Sequence, residues 1–218
     1  MDRQIIYTAG YPRSGNHWLA RTLSDLFCAP ILGGKGDIRF AQRIEPGYAI
    51  LRTHWDRKQF NWQGYPNPVV HMARDPRDMA VSLMHFRGDQ NLSHTIGRLV
   101  EDDFAGWVES WILRPTNLNM TYEVMHDNRK SFEWLKRIYW IVTDNEPILD
   151  QHVADVIERQ QFSNWLHLDR KVNRKGVIGD WEKHFVQANA KVFEENFGWV
   201  LRDLDYEQDR DWWKEVPK

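Results

Sequence analysis

Between a short apolar run and an amphipathic helix the chain carries Gly10-Tyr11-Pro12-Arg13-Ser14-Gly15-Asn16-His17, a loop bounded by glycines. Residues 4–8 before it read as a strand. The helix after it places Trp18, Leu19, Leu23, Leu26 and Phe27 near 3.6-residue spacing. A loop in that position turns backbone N–H groups and a helix N-terminus toward one point, which makes an anion site. Two glycines stand at Walker A spacing, but Asn16-His17 occupies the place where a nucleoside-triphosphate site requires Lys-Ser/Thr. Without that lysine and the magnesium-binding hydroxyl, triphosphate hydrolysis is poorly supported. Arg13, inside the loop, can reach a bridging or terminal oxygen of the bound group.

Residues 49–53, 68–73 and 119–122 read as three further strands, and residues 29–47, with four glycines and two prolines, as irregular loop. Asp75-Pro76 starts a helix, with Asp at the N-cap and Pro in the first turn. Helical periodicity continues through 96–113, 130–142, 148–160 and 187–197. Strands alternating with helices predict an α/β fold: a P-loop-like parallel sheet flanked by helices on both faces, as one domain over residues 1–218. Ligands of such sheets bind beyond the carboxyl ends of the strands.

Charge narrows the partners. The 29 Lys and Arg nearly balance 31 Asp and Glu, so the basic excess of a nucleic-acid groove or an anionic-membrane patch is missing. A single cysteine, Cys28, fits a reducing compartment. Neither a secretory leader nor an apolar run of about 20 residues is present, so a cytoplasmic protein is expected.

Four segments, in order, resemble the cytosolic sulfotransferases. Tyr11 to Leu19 is similar to the family's 5′-phosphosulfate loop, usually Tyr-Pro-Lys-Ser-Gly-Thr-Thr-Trp. Arg52-Thr53-His54 falls where the family carries Lys-Thr-His. Arg74-Asp75-Pro76-Arg77-Asp78-Met79-Ala80-Val81-Ser82 resembles the 3′-phosphate segment, and Arg174-Lys175-Gly176-Val177-Ile178-Gly179-Asp180-Trp181 the C-terminal Arg-Lys-Gly-x-x-Gly-Asp-Trp motif.

The resemblance implies transfer of a sulfuryl group from 3′-phosphoadenosine-5′-phosphosulfate (PAPS) to a small acceptor, leaving adenosine 3′,5′-bisphosphate (PAP), with no metal. It implies that Arg13, Ser14, Gly15, Asn16, His17 and Trp18 hold the 5′-phosphosulfate end, the last of them also facing adenine. Arg74, Ser82, Arg174, Lys175 and Gly176 would take the 3′-phosphate, while Phe162 stacks on the base opposite Trp18 and Tyr122 hydrogen-bonds it. His54 would be the general base, with Arg13 and Arg52 stabilising charge on the leaving phosphate and sulfuryl oxygens.

The chain also departs from the pattern. Lysine is usual at positions 13 and 52, and arginine keeps the charge but donates no proton. The chain is shorter than typical members where they build the acceptor pocket. Trp55, Phe60, Trp62, Phe86, Trp107 and Trp111 are left as an apolar wall that favours a phenol or hydrophobic alcohol. The family's dimer motif is replaced by Glu182, Val186, Gln187 and Lys191, which predicts a monomer or weak dimer. Two other readings stand beside this one: a P-loop kinase or nucleotidase, and a non-catalytic protein that binds 3′,5′-bisphosphate nucleotides.

Overall fold

Alternation along the strands decides the architecture. Ile5, Tyr7 and Ala9 of the first strand point into one apolar cluster, whereas Ile6 points into another, and all four are buried. Such two-faced burial belongs to a parallel sheet covered on both sides. The computed structural model describes residues 4–33, 47–54, 68–112, 118–165 and 175–218. Among these, the strands are β1 (Gln4–Gly10), β2 (Ile31–Gly33), β3 (Tyr48–Thr53), β4 (Val69–Ala73) and β5 (Leu118–Thr121). They form one sheet in the order β2-β3-β1-β4-β5, with every pairing parallel.

The helices are α1 (Asn16–Leu26), α2 (Pro76–Arg87), α3 (Leu92–Glu101), α4 (Phe104–Ile112), α5 (Tyr122–His126), α6 (Asn128–Val142), α7 (Asp150–Arg159) and α8 (Gln187–Asp203). α1, α6 and α7 cover the face of Ile6, Ile50 and Val70. α2, α3, α4 and α8 cover the face of Tyr7, Ala49 and Leu51. The expected α/β sheet with helices on both faces is therefore present.

Three boundaries differ from expectation. β2 lies inside the stretch read as loop, where Ile31 to Gly33 pair with Ile50 to Arg52. The helix read over 96–113 is two helices, parted at Asp103, whose φ of 51° is left-handed. Tyr122 opens α5 rather than ending a strand, because the Thr121 hydroxyl caps it by accepting from Val124 N–H at 3.2 Å.

His71 of β4 is buried, and its ring lies parallel to that of Trp111 with centroids 6.2 Å apart. Burial pushes its pKa down to about 4, against a smaller opposing effect of Asn119. A folded-state pKa below the ordinary 6.5 means that the unfolded chain takes up the proton first, so stability is lost as pH falls from 6.5 toward 4. Between pH 7 and 5 the wild-type protein is expected to lose about 2 kcal/mol more than a His71→Leu variant. Urea unfolding at the two pH values measures this, and equal losses in both proteins would remove His71 as the source.

Candidate active site

The register brings the strand ends level. Ala9 pairs with Thr53, Gly10 with Met72, and Ala73 with Thr121. The residue after each end is one the sequence singled out or its immediate neighbour: Tyr11 after β1, His54 after β3, Arg74 after β4 and Tyr122 after β5. His54, Arg74 and Tyr122 open on a cavity of about 480 Å³. Its lining includes Arg13, Gly15, Asn16, His17, Trp18, Arg52, His54, Arg74, Ser82, Tyr122, Phe162, Lys175 and Gly176. Thus all but two of the expected site residues line one space. Ser14 is buried behind the loop, and Arg174 lies outside the described residues, as do Trp55, Phe60 and Trp62.

Two glycines are fixed by local geometry. Gly15 caps α1 with φ 98°, and a Cβ there would sit 2.7 Å from the Tyr122 ring. Gly176 has φ 64°, and a Cβ would run into Phe162. Either position strains any other residue. Arg13 is also left-handed, with φ 76°. Its Nε donates to Ser82 Oγ at 3.1 Å, and its guanidinium lies 4.9 Å from the Phe86 ring centroid.

Arg74 joins the loop after β1 to the C-terminal motif. Its Nη1 donates to Arg13 O at 3.2 Å and its Nη2 to Val177 O at 3.1 Å, with the guanidinium 4.2 Å from the Tyr122 ring centroid. Asp78, one turn on, accepts from Gly179 N–H at 2.8 Å and Trp181 N–H at 2.9 Å, so α2 holds the C-terminal motif directly. The sequence reading missed Asp78; its signal was the i,i+4 spacing from Arg74, with which it pairs at 3.8 Å. Lys175 lies 3.6 Å from Asp180.

His54 is oriented through both its ring and its backbone. Its Nδ1 lies 2.7 Å from Gly10 O. A carbonyl only accepts, so Nδ1 carries the proton and Nε2 the lone pair. The Trp107 indole N–H donates to His54 O at 3.2 Å. Part of the imidazole faces solvent in the cavity, yet the surrounding protein withdraws it from bulk water and lowers its pKa. The Gly10 hydrogen bond opposes that shift and the Arg52 charge adds to it. Tyr122 is pushed up to about 12, chiefly by burial, so its phenol stays protonated.

Several expected contacts take another form. The Asn16 side chain is buried, and its Nδ2 donates to Thr53 O at 2.7 Å, bracing the loop against β3. His17 Nε2 accepts from Arg21 Nε at 3.1 Å. Trp18 and Phe162 do neighbour each other, but edge to face, with centroids 5.7 Å apart and planes at 64°. A base between parallel rings needs two contact distances, about 7 Å, so one ring must move to admit it. Trp107 and Trp111 are core rather than pocket wall, 7% and 1% exposed. The α4 face that carries them packs inward, and of the three described aromatics Phe86 lines the cavity.

The described residues contain no cluster of three or more His, Cys, Asp or Glu that could hold a metal, and no helix among them is long and apolar enough to cross a membrane. The charged lining residues, Arg13, Arg52, Arg74 and Lys175, are all cationic, which suits an anionic ligand.

The sulfotransferase domain model matches residues 46–205. Rat (Rattus norvegicus) sulfotransferase 2A1 is 24% identical over 90% of this chain and 84% of its own. The human (Homo sapiens) protein of that name is 24% identical over 94% and 87%. Zebrafish (Danio rerio) cytosolic sulfotransferase 1 is 23% identical over 87% and 80%. Among solved structures, mouse sulfotransferase SULT7A1 complexed with PAP superposes with a TM-score of 0.74 at 23% identity, over 97% of this chain and 87% of that one. Retinol dehydratase in complex with androsterone and PAP gives 0.63 at 16% identity, over 94% and 82%. The chain belongs to the sulfotransferase family, in the class of the PAPS-dependent enzymes.

Proposed function

We propose that this sulfotransferase moves the sulfuryl group of PAPS onto the hydroxyl of a small aromatic or hydrophobic acceptor, with His54 as general base. The observation that carries this reading is the 2.7 Å contact of His54 Nδ1 with Gly10 O, because it leaves a basic Nε2 on a residue that lines the cationic cavity. PAPS supplies an activated sulfuryl group whose leaving group is a phosphate.

His54 Nε2 takes the acceptor proton as the acceptor oxygen bonds to sulfur. The bond from sulfur to the 5′-phosphate oxygen breaks, and its electron pair leaves with PAP. Arg13 and Arg52 offset the charge growing on that oxygen. Backbone amides of the Ser14–His17 turn and the α1 N-terminus hold the 5′ end. Arg74, Ser82, Lys175 and Gly176 hold the 3′-phosphate, and Trp18, Tyr122 and Phe162 surround the base. The Phe86 ring supports an apolar acceptor. One zebrafish relative is named as cytosolic, which supports a cytosolic site of action.

Calorimetric titration with PAP, run beside ATP with magnesium, tests the donor class. Binding of PAP without a response to ATP is expected. Binding of magnesium-ATP with indifference to PAP would overturn the reading.

A further inference from the structure

Two turns apart on one face of α1 stand Trp18 and Asp25, at i and i+7. Both grip the same residue at the end of α7. The Trp18 indole N–H donates to Gln160 O at 2.6 Å, and the Gln160 side-chain amide donates to Asp25 Oδ2 at 3.0 Å. Arg159 adds a bidentate pair to the same carboxylate, with Nε and Nη2 each at 3.0 Å. Asp25 therefore collects three donors from two consecutive residues. Two positions further on is Phe162, against Trp18 on one side and the backbone of Gly176 on the other.

We propose that Asp25 is a positioning residue for the cosubstrate, clamping the last turn of α7 so that Phe162 faces Trp18 across the base site. The inference rests on the PAPS reading above and extends it to a residue outside the cavity. The clamp acts on the helix end alone. α7 has separate ties to the domain through buried Val153 and Val156 and through His152 Nε2, 3.1 Å from Leu26 O. Loss of Asp25 thus frees the segment leading to Phe162 without undocking the helix. An exposed ion pair contributes little by itself, but a two-point arginine fork combined with an amide donor holds a geometry as well as a charge.

The test is binding of two probes to Asp25→Ala: PAP, and the 3′,5′-bisphosphate of 1-deoxyribose, which carries both phosphates but no base. PAP affinity is expected to fall about tenfold, while the base-free probe binds as it does to wild type. Arg159→Met, at an exposed side chain, is expected to show the same selectivity at about threefold. In turnover the change appears as a higher KM for PAPS, and Asp25→Glu recovers part of it. Wild-type PAP affinity in Asp25→Ala, or equal weakening of both probes, would overturn the clamp. Failure of the wild-type protein to bind PAP would instead remove the reading beneath it.

Discussion

Replacing His54 with alanine is expected to lower kcat by about 10²–10⁴-fold while PAP binding persists. The selectivity follows from geometry. Among the described residues the ring makes one hydrogen bond, Nδ1 to Gly10 O, and that carbonyl can be solvated once the ring is gone. The cationic groups of the cavity, Arg13, Arg52, Arg74 and Lys175, remain. The wild-type rate should also show an acid limb. The neutral imidazole is the active form, and its pKa lies below the ordinary 6.5 because of withdrawal from bulk water and the nearby Arg52 charge. Activity therefore climbs with pH below 6.5 and is level through neutrality, and the variant lacks that climb. A variant that transferred sulfate at the normal rate would refute the assignment of the base.

The largest stability effect is expected at Arg77, where methionine in its place should cost about 3–5 kcal/mol. Arg77 is 3% exposed and lies against the rings of Trp181 and Trp212, 3.9 and 4.9 Å from their centroids. It donates to both oxygens of buried Asp75, with its closest contact 2.9 Å, and to Tyr206 O at 3.3 Å. It also reaches Glu207 at 3.4 Å. Methionine fills much of the volume but leaves the Asp75 carboxylate buried without its cation. Glu123 stands close by, accepting from Asp75 N–H and from the Tyr206 hydroxyl at 2.6 Å, and its pKa is raised by burial. Chemical unfolding measures the change, and a loss below about 1 kcal/mol would show that water reaches Asp75 in the variant.

What the sequence made legible follows from the range of each interaction. The phosphate loop was readable because its strand, glycines and helix are contiguous, and so was the cap of α2, where Asp75 Oδ1 accepts from Arg77 N–H at 2.9 Å. β2 was not, since three residues beside Pro30 carry too little alternation to stand out. The break at Asp103 escaped because apolar spacing continues across it from Leu99 to Phe104 and Trp107. The Asp75–Arg77–Glu207 network joins residues about 130 positions apart, and no local pattern announces it. Trp107 posed a different problem: an aromatic on an amphipathic helix suits a pocket wall as well as a core, and only packing against Tyr11 and His71 decides between them. For Asn16, no local pattern announces its bond to the carbonyl at the end of β3, 37 positions away.

The strand order β2-β3-β1-β4-β5 has a kinetic meaning. Parallel neighbours cannot be joined by a tight hairpin, so no pair in this sheet forms as an isolated local event. Chain closure must come before the contacts that reward it, which predicts slow folding for a molecule of this size. The base site needs the ends of β1 and β5, the helix after Asp150 and the turn at Gly176 all together, and it exists only once the last of these has docked. A nucleotide then meets a finished molecule: it slows unfolding and leaves the rate of folding unchanged.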